Sequence, residues 1–225
     1  MQQYRTSPIS LTSFNSTSGV RRYQADAPHE QDFTMSHPRK TNQETLAPLA
    51  TLYQETKRLQ RKRGNWSYVF EDAVGLYDTV SNLCPTKILE LGTAIGFTSC
   101  VMALAAPQAA IDTIDKDDVN VELARHNTAW LSLSSRITVH HGDFNTVIDT
   151  LDTEYDFAFF DGFAPEITLL KKIHHRLASQ GVLACSNLSL CNDARVMAFL
   201  TSAEIWRELS PIEQANTRIF RKRAG

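Results

Sequence analysis

Several features that would fix a function outright are missing from this sequence. No apolar run approaches the ~20 residues of a membrane-spanning helix, so a membrane protein of that kind is not expected. The formal net charge is only −2, which leaves no global electrostatic footprint for nucleic acid. The four cysteines (Cys84, Cys100, Cys185 and Cys191) lack metal-type C-x-x-C spacing, and no secretory leader precedes them. Reduced thiols in a cytoplasmic protein are the expectation. The Gly-Lys-Ser/Thr of a phosphate-cradling loop is also absent.

What is there is an ordinary globular composition, 42% hydrophobic and 21% charged over 225 residues, with length for one domain and one core. The chain is organised around Lys87-Ile88-Leu89-Glu90-Leu91-Gly92-Thr93-Ala94-Ile95-Gly96-Phe97-Thr98. Ile88, Leu89 and Leu91 read as a buried parallel strand, and a helical pattern begins at Phe97. So tight a strand–turn–helix brings backbone N–H groups and a helix N-terminus to the carboxyl edge of a sheet, where open α/β sheets bind ligands. A dinucleotide fingerprint wants glycines at the first, third and sixth turn positions. Those positions hold Gly92, Ala94 and Phe97, so the pattern fails.

Residues 1–43 are polar, rich in Ser, Thr, Gln and Pro, and read as an extended arm, flexible or dimer-wrapping, ahead of a domain over 44–225. Arg5, Arg21 and Arg22 without an acid in the first 25 residues superficially match an organelle transit peptide, but no amphipathic helix accompanies them. Helical spacing runs from Glu44 to Arg63, with a cationic end (Lys57, Arg58, Arg61, Lys62, Arg63) that reads as a solvated helix end, with an RNA patch as the alternative. A second helix is expected over roughly 67–82. Strands are expected at 110–114, 137–140, 155–160 and 182–185, with helices over 119–131 and 167–177 and two closing strands at 206–209 and 217–221. That alternation predicts a parallel sheet with one antiparallel strand in a terminal hairpin.

The strand ends carry the chemistry. Glu90, Asp115, Asp143 and Asp161 each close a predicted strand, and parallel strands should bring all four to one edge. Asp115 is spaced to meet ribose hydroxyls, since a carboxylate can accept two O–H donors. Asp143 is placed for an adenine amino group. Any one of them is equally readable as a helix N-cap.

The acid-x-Gly-x-small-x-Gly turn resembles the first motif of S-adenosylmethionine (SAM)-dependent methyltransferases. Residues 88–99, the run from Ile114 to Asn127, His141-Gly142-Asp143, Tyr155-Asp156-(x)4-Asp161 and Gly181-Val182-Leu183-Ala184 together resemble the catechol/caffeoyl-CoA O-methyltransferase family. The resemblance implies a Rossmann-like, seven-stranded, mostly parallel sheet with helices on both faces. It implies a homodimer and a small-molecule acceptor methylated on oxygen, with nucleic acid not expected as a partner. The implied cofactor-binding residues are Glu90, Gly92, Thr93, Ala94, Gly96, Thr98, Asp115, Asp143, Phe163 and Tyr68, with a further contact near Trp66.

Most members of that family hold a divalent cation through an Asp, an Asp-Asn pair and the substrate hydroxyls. Asp161 and Asn187 match the first Asp and the Asn, but Ser186 stands where the second Asp would be, and Ala164 stands where a lysine often follows. Asp161 and Asn187 are therefore expected to orient the acceptor, and to be the ligands if a metal is kept. Metal-independent O-methylation, N-methylation, a weakened Mg²⁺ site, RNA methylation and a SAM-binding homologue without activity all remain open. His141, His174, His175, Glu166 and Asp193 are the candidate bases, with structural or solvated roles the plainer expectation for the histidines. Cys185 and Cys191 are expected to pack as small apolar groups.

Overall fold

The computed structural model describes residues 41–63, 69–151 and 154–224. Residues 1–40 of the polar arm, the Trp66–Tyr68 segment and the side chain of Arg63 lie outside the described residues, as do the expectations placed on them; the last three residues of the expected arm instead lead into the first helix.

The alternation of apolar runs becomes a single seven-stranded sheet in the order β3-β2-β1-β4-β5-β7-β6. Its strands are β1 (Lys87–Leu91), β2 (Ala110–Asp115), β3 (Ile137–His141), β4 (Tyr155–Phe160), β5 (Leu177–Cys185), β6 (Trp206–Ile212) and β7 (Thr217–Lys222). Strands β1 to β5 pair in parallel, while β7 runs antiparallel to both β5 and β6. The expected architecture is thus the observed one, with a single reversed strand.

Helices cover both faces, which is why β4 reads as an unbroken apolar run. Phe157 and Phe159 pack into one core with Ile88, Ile111 and Val182, beneath α3 (Ala73–Leu83), α4 (Phe97–Ala105) and α5 (Asp118–Trp130). Ala158 and Phe160 point the other way, joining Leu89, Leu91, Ile114 and Leu183 beneath α6 (Phe144–Thr150), α7 (Ile167–Arg176) and α8 (Ala194–Leu200). Strand order reverses between β1 and β4, and a crevice opens at the carboxyl ends of the strands on either side of such a switch point.

Three expectations about elements need correction. The single helix over 44–63 is instead α1 (Asn42–Leu46), a 3-10 turn at Ala47–Leu49 and α2 (Ala50–Arg63). Pro48, with no N–H to donate, falls at the start of that turn. The helix expected over 67–82 begins only at Ala73, because Asp72 caps it by accepting from the Gly75 N–H at 2.8 Å. Val69 and Phe70 are buried ahead of the helix. Helices α6 and α8 were not expected: each is seven residues long, too short for a helical period to stand out. Among the described residues no helix is long and apolar enough to cross a membrane.

Candidate active site

The turn after β1 rises between the ends of β2 and β4. The Gly92 and Thr93 N–H groups both donate to the Ile114 carbonyl, at 3.0 and 3.3 Å, and the Gly96 N–H donates to Thr93 at 2.8 Å. Gly92 has φ +110, and a Cβ there would lie 2.6 Å from the Asp161 carbonyl oxygen. Glycine is required here because the chain leaving β4 presses directly on the turn. Ala94 is also left-handed, at φ 44, a conformation uncommon outside glycine. Its N–H donates to Asp115 Oδ2 at 2.8 Å. Helix α4 begins at Phe97 without a side-chain cap, so its first-turn N–H groups remain to be satisfied at this edge.

Of the four strand-end acids, three lie at the edge and one beneath it. Glu90 sits one residue short of the end of β1 and shares a face with Ile88, so strand alternation turns it under α4. It is fully buried and accepts from Thr98 (2.5 Å), Thr113 (2.6 Å) and Ser99. Burial pushes its pKa up to about 7; the Ser99, Thr113 and Thr98 hydroxyls oppose that rise and the charge of Asp115 adds to it. The hydrogen-bond donors expected from a ligand are therefore supplied by the protein. Thr98, buried and bonded to Glu90, serves the same cluster, and Thr93 joins it through Thr113 at 2.5 Å.

Asp115 is largely buried at the end of β2, holding Ala94 N–H on one oxygen and Asp117 N–H (2.9 Å) on the other. Burial raises its pKa, against those two backbone bonds and that of the Asn120 side chain. Three donors on about four acceptor positions leave room for one more. Asp143 is exposed and caps α6 through Asn145 N–H at 2.9 Å, so its N-cap role is in place at the edge. Gly142 N–H donates to the Asp115 carbonyl at 2.9 Å, which joins these two strand ends.

Asp161 and Asn187 meet as expected. The Asn187 amide donates to Asp161 Oδ1 at 3.3 Å and to the Gly162 carbonyl at 2.9 Å, from a left-handed backbone at φ 60. Asp161 is held well above the usual carboxylate range by burial first, then by the charges of Glu90 and Glu213, with Asn187 pulling the other way. Both residues line a cavity of about 250 Å³ walled also by Phe70, Glu71, Leu190, Glu213 and Asn216. Glu71, Glu213 and Asn216 carry no motif; only the β6–β7 hairpin and the cap at Asp72 bring them here.

A divalent cation does not fit this donor set. Ser186 is buried and its hydroxyl is engaged with that of Thr217, while Asn187 turns its NH₂ toward Asp161. Among the described residues no group of three His, Cys, Asp or Glu could hold a metal ion.

The other candidates are committed elsewhere. His174 packs edge-on against Phe199 and Trp206 and is held below its ordinary pKa by burial. His175 stands beside it in the last turn of α7, while His141 meets the Lys116 carbonyl at 3.2 Å. Asp193 caps α8 and pairs with Arg195 at 2.8 Å. Glu166 is exposed before α7 and makes no cap bond. Cys185 is buried, with its thiol pushed up by burial, and Cys191 points at the Pro165 carbonyl at 3.6 Å. Phe163, 71% exposed, stands just beyond Asp161. In the basic stretch, Lys57 pairs with Glu71 at 3.0 Å and Arg58 with Glu55 at 2.5 Å, so part of that charge is neutralised within the protein.

Comparison with known proteins places this geometry. A model of a methyltransferase domain matches residues 89–188, from β1 through Asn187. The O-methyltransferase TomG from Streptomyces achromogenes, solved in complex with SAM, superposes with a TM-score of 0.66 at 18% identity, covering 77% of this chain and 89% of that one. An O-methyltransferase from Bacillus cereus, solved with SAH, superposes at 0.66 and 14% identity, over 80% of this chain and 94% of its own. At these identities the likeness is one of fold, and the fold is the Rossmann-like one of SAM-dependent methyltransferases. A tRNA1(Val) (adenine(37)-N6)-methyltransferase from Vibrio campbellii is 33% identical over 75 residues. That match spans 33% of this chain and about a third (31%) of that protein.

Proposed function

We infer that this chain, which has the methyltransferase fold and a methyltransferase domain match across its central strands, transfers a methyl group from SAM to a small-molecule acceptor, on oxygen. What carries the reading is one juxtaposition at the switch point: a glycine turn braced by Asp115 on one side, and the Asp161–Asn187 cavity on the other. The solved O-methyltransferases of the same fold support oxygen as the acceptor atom. The same reading carries a homodimer in the cytoplasm, supported by the family resemblance and by four free cysteines.

The residues suit SAM. It has no phosphate, and the turn offers no lysine; it has ribose hydroxyls, and Asp115 keeps one acceptor position for them. When bound, SAM supplies an electrophilic methyl on a sulfonium. The protein's part is to hold the nucleophile in line at ~3–3.5 Å. Asp161 and Asn187 orient the acceptor, Phe70 and Leu190 exclude water, and the Gly92–Gly96 turn lets the backbone approach the cofactor closely. Asp143 offers its second oxygen to the adenine end.

Asp115→Ala should weaken SAH binding by about 1–3 kcal/mol, the scale of a charge-assisted hydrogen bond. Calorimetry that returned an unchanged affinity would overturn the ribose assignment. Methyl transfer from tritiated SAM should survive EDTA, because the donors at Ser186 and Asn187 are turned into the protein. Complete loss restored by Mg²⁺ would contradict this, and SAM binding without turnover on any acceptor would favour a non-methylating homologue. The Vibrio campbellii relative supports an RNA-directed alternative, which the internal pairing of Lys57 and Arg58 weakens.

A further inference from the structure

A second cavity lies at the other edge of the sheet. It opens where the parallel strands begin, between the end of α3, the start of β5 and Arg221 on β7, and encloses about 330 Å³. That volume is within the range of small-molecule sites. The five residues of β1, at ~3.3 Å each, put roughly 15 Å between this cavity and the Gly92 turn. Two of its walls hold residues in costly backbone. Between the pairs Tyr155–Leu177 and Phe157–Val182 the chain advances two residues on β4 but five on β5, so β5 bulges there. Gln180 in the bulge is left-handed at φ 63, and Cys84 at the end of α3 is left-handed at φ 48. Such conformations outside glycine gather at ligand clamps and switches.

The cavity also holds a cation that the fold leaves unanswered. Of the other cations on β7, Arg218 pairs with Glu208 at 2.7 Å, and Lys222 donates to the His174 and Leu177 carbonyls. Among the described residues no carboxylate pairs with Arg221, and its Nε is buried without an acceptor. Strand alternation puts Arg221 on the face of buried Ile219, beside buried Val182, which pins its stem. Directly opposite on β6 is Arg207, also in no ion pair among the described residues. Like charges facing each other across a ladder are destabilising. The one acid in the lining, Asp156, is engaged elsewhere. Its Oδ2 accepts from Thr86 N–H and Oγ1, both at 2.7 Å, and from Lys87 N–H at 3.0 Å, with the Lys87 charge close by.

We propose that this cavity binds a phosphate monoester with a small apolar body, its phosphate held by Arg221 and bridged to Arg207. A guanidinium offers paired N–H donors that match two phosphate oxygens. A dianion answers both arginines, whereas a single carboxylate answers one. Leu83, Pro85 and Val182 provide the apolar wall for the organic part.

The test uses the full chain and two aromatic probes of similar size at fixed ionic strength and about pH 8: phenyl phosphate, a dianion, and benzoate, a monoanion. Calorimetry should show phenyl phosphate binding roughly tenfold tighter than benzoate or better, the scale of one charge-assisted bond. Arg221→Gln should weaken phenyl phosphate by a similar factor and Arg207→Gln by about threefold. Arg221→Lys, which keeps the charge and loses the fork, should recover only part of the affinity. Phenyl phosphate should also slow alkylation of the exposed Cys84 by N-ethylmaleimide about threefold, and should not do so in Arg221→Gln. A cooperative urea transition checks that each variant is folded. Should Arg221→Gln fail that check, Arg207→Gln carries the test, because Arg207 is exposed. Equal binding of the two probes, unchanged affinity in the folded arginine variants, or undiminished labelling of Cys84 would overturn the proposal. So would Arg221-dependent binding of a short RNA without binding of phenyl phosphate, which would make these arginines a polyanion surface instead.

Discussion

Gly92→Ala should be among the most damaging single-methyl additions in this protein, lowering stability by about 3 kcal/mol. Two costs add. An L-residue at φ +110 is strained by roughly 1–2 kcal/mol. The new Cβ also lies 2.6 Å from the Asp161 carbonyl oxygen and 2.9 Å from its carbon. These are backbone atoms, which cannot swing aside, and overpacking of this kind costs about 1–3 kcal/mol. Gly96→Ala is the internal control. It is left-handed too, but its Cβ would find nothing nearer than 3.5 Å, so only the conformational cost should appear. Urea unfolding of the two variants separates the terms. Equal losses would mean that the strand-exit loop retreats at no cost, and that close approach is not what requires glycine at position 92. Because relief in Gly92→Ala must come from moving Asp161, the variant should also lose methyl transfer more steeply than it loses SAH affinity.

The second large effect is a pH dependence. Glu90 has an ordinary value near 4.5 and is raised to about 7 by burial, so the folded protein holds a proton there that the unfolded chain has released. Between those two values the native state binds more protons, and stability falls as pH rises. The loss attributable to Glu90 across that interval is about 3 kcal/mol. Asp161 is displaced in the same direction and contributes its own decline, so the wild type alone cannot isolate Glu90. Glu90→Gln can. It keeps the shape and a polar partner for Thr98, Ser99 and Thr113, whose hydroxyls can turn to accept, and it has no charge to bury. Relative to wild type, the variant should gain about 3 kcal/mol on passing from pH 5 to pH 8. A difference constant over that range, measured by urea melts, would mean that Glu90 does not titrate there.

Both effects come from the same few residues, and the two sit differently with respect to sequence. Gly92 announced itself: a glycine closing an apolar run before a helical pattern is a local signal. The role of Glu90 was not local. Its identity as a strand-end acid suggested a ligand contact, yet it is one residue short of the end, and the period of two in a strand sends it inward rather than to the rim. That inward position is tolerable because α4 returns over the same face with Thr98 and Ser99, eight and nine residues on. Asp115 and Asp161 fall at the strand ends proper and do stand at the edge, on strands that flank β1 on either side.

The sequence by itself determined the sheet, its parallel order of strand and helix, the reversed last strand and the turn at Gly92–Gly96. Each of these is written in short-range periodicity and in backbone demands on single residues. Only the tertiary structure decided what the acids face. Glu213 reaches Asp161 because a hairpin more than fifty residues downstream folds back over the sheet edge, and Glu71 is there because Asp72 caps α3 and receives the Glu213 N–H. No pattern along the chain encodes which acids share a cavity assembled from four separate segments. It follows from which side chains packing brings within a few ångströms, and electrostatics acts on that distance rather than on separation in sequence.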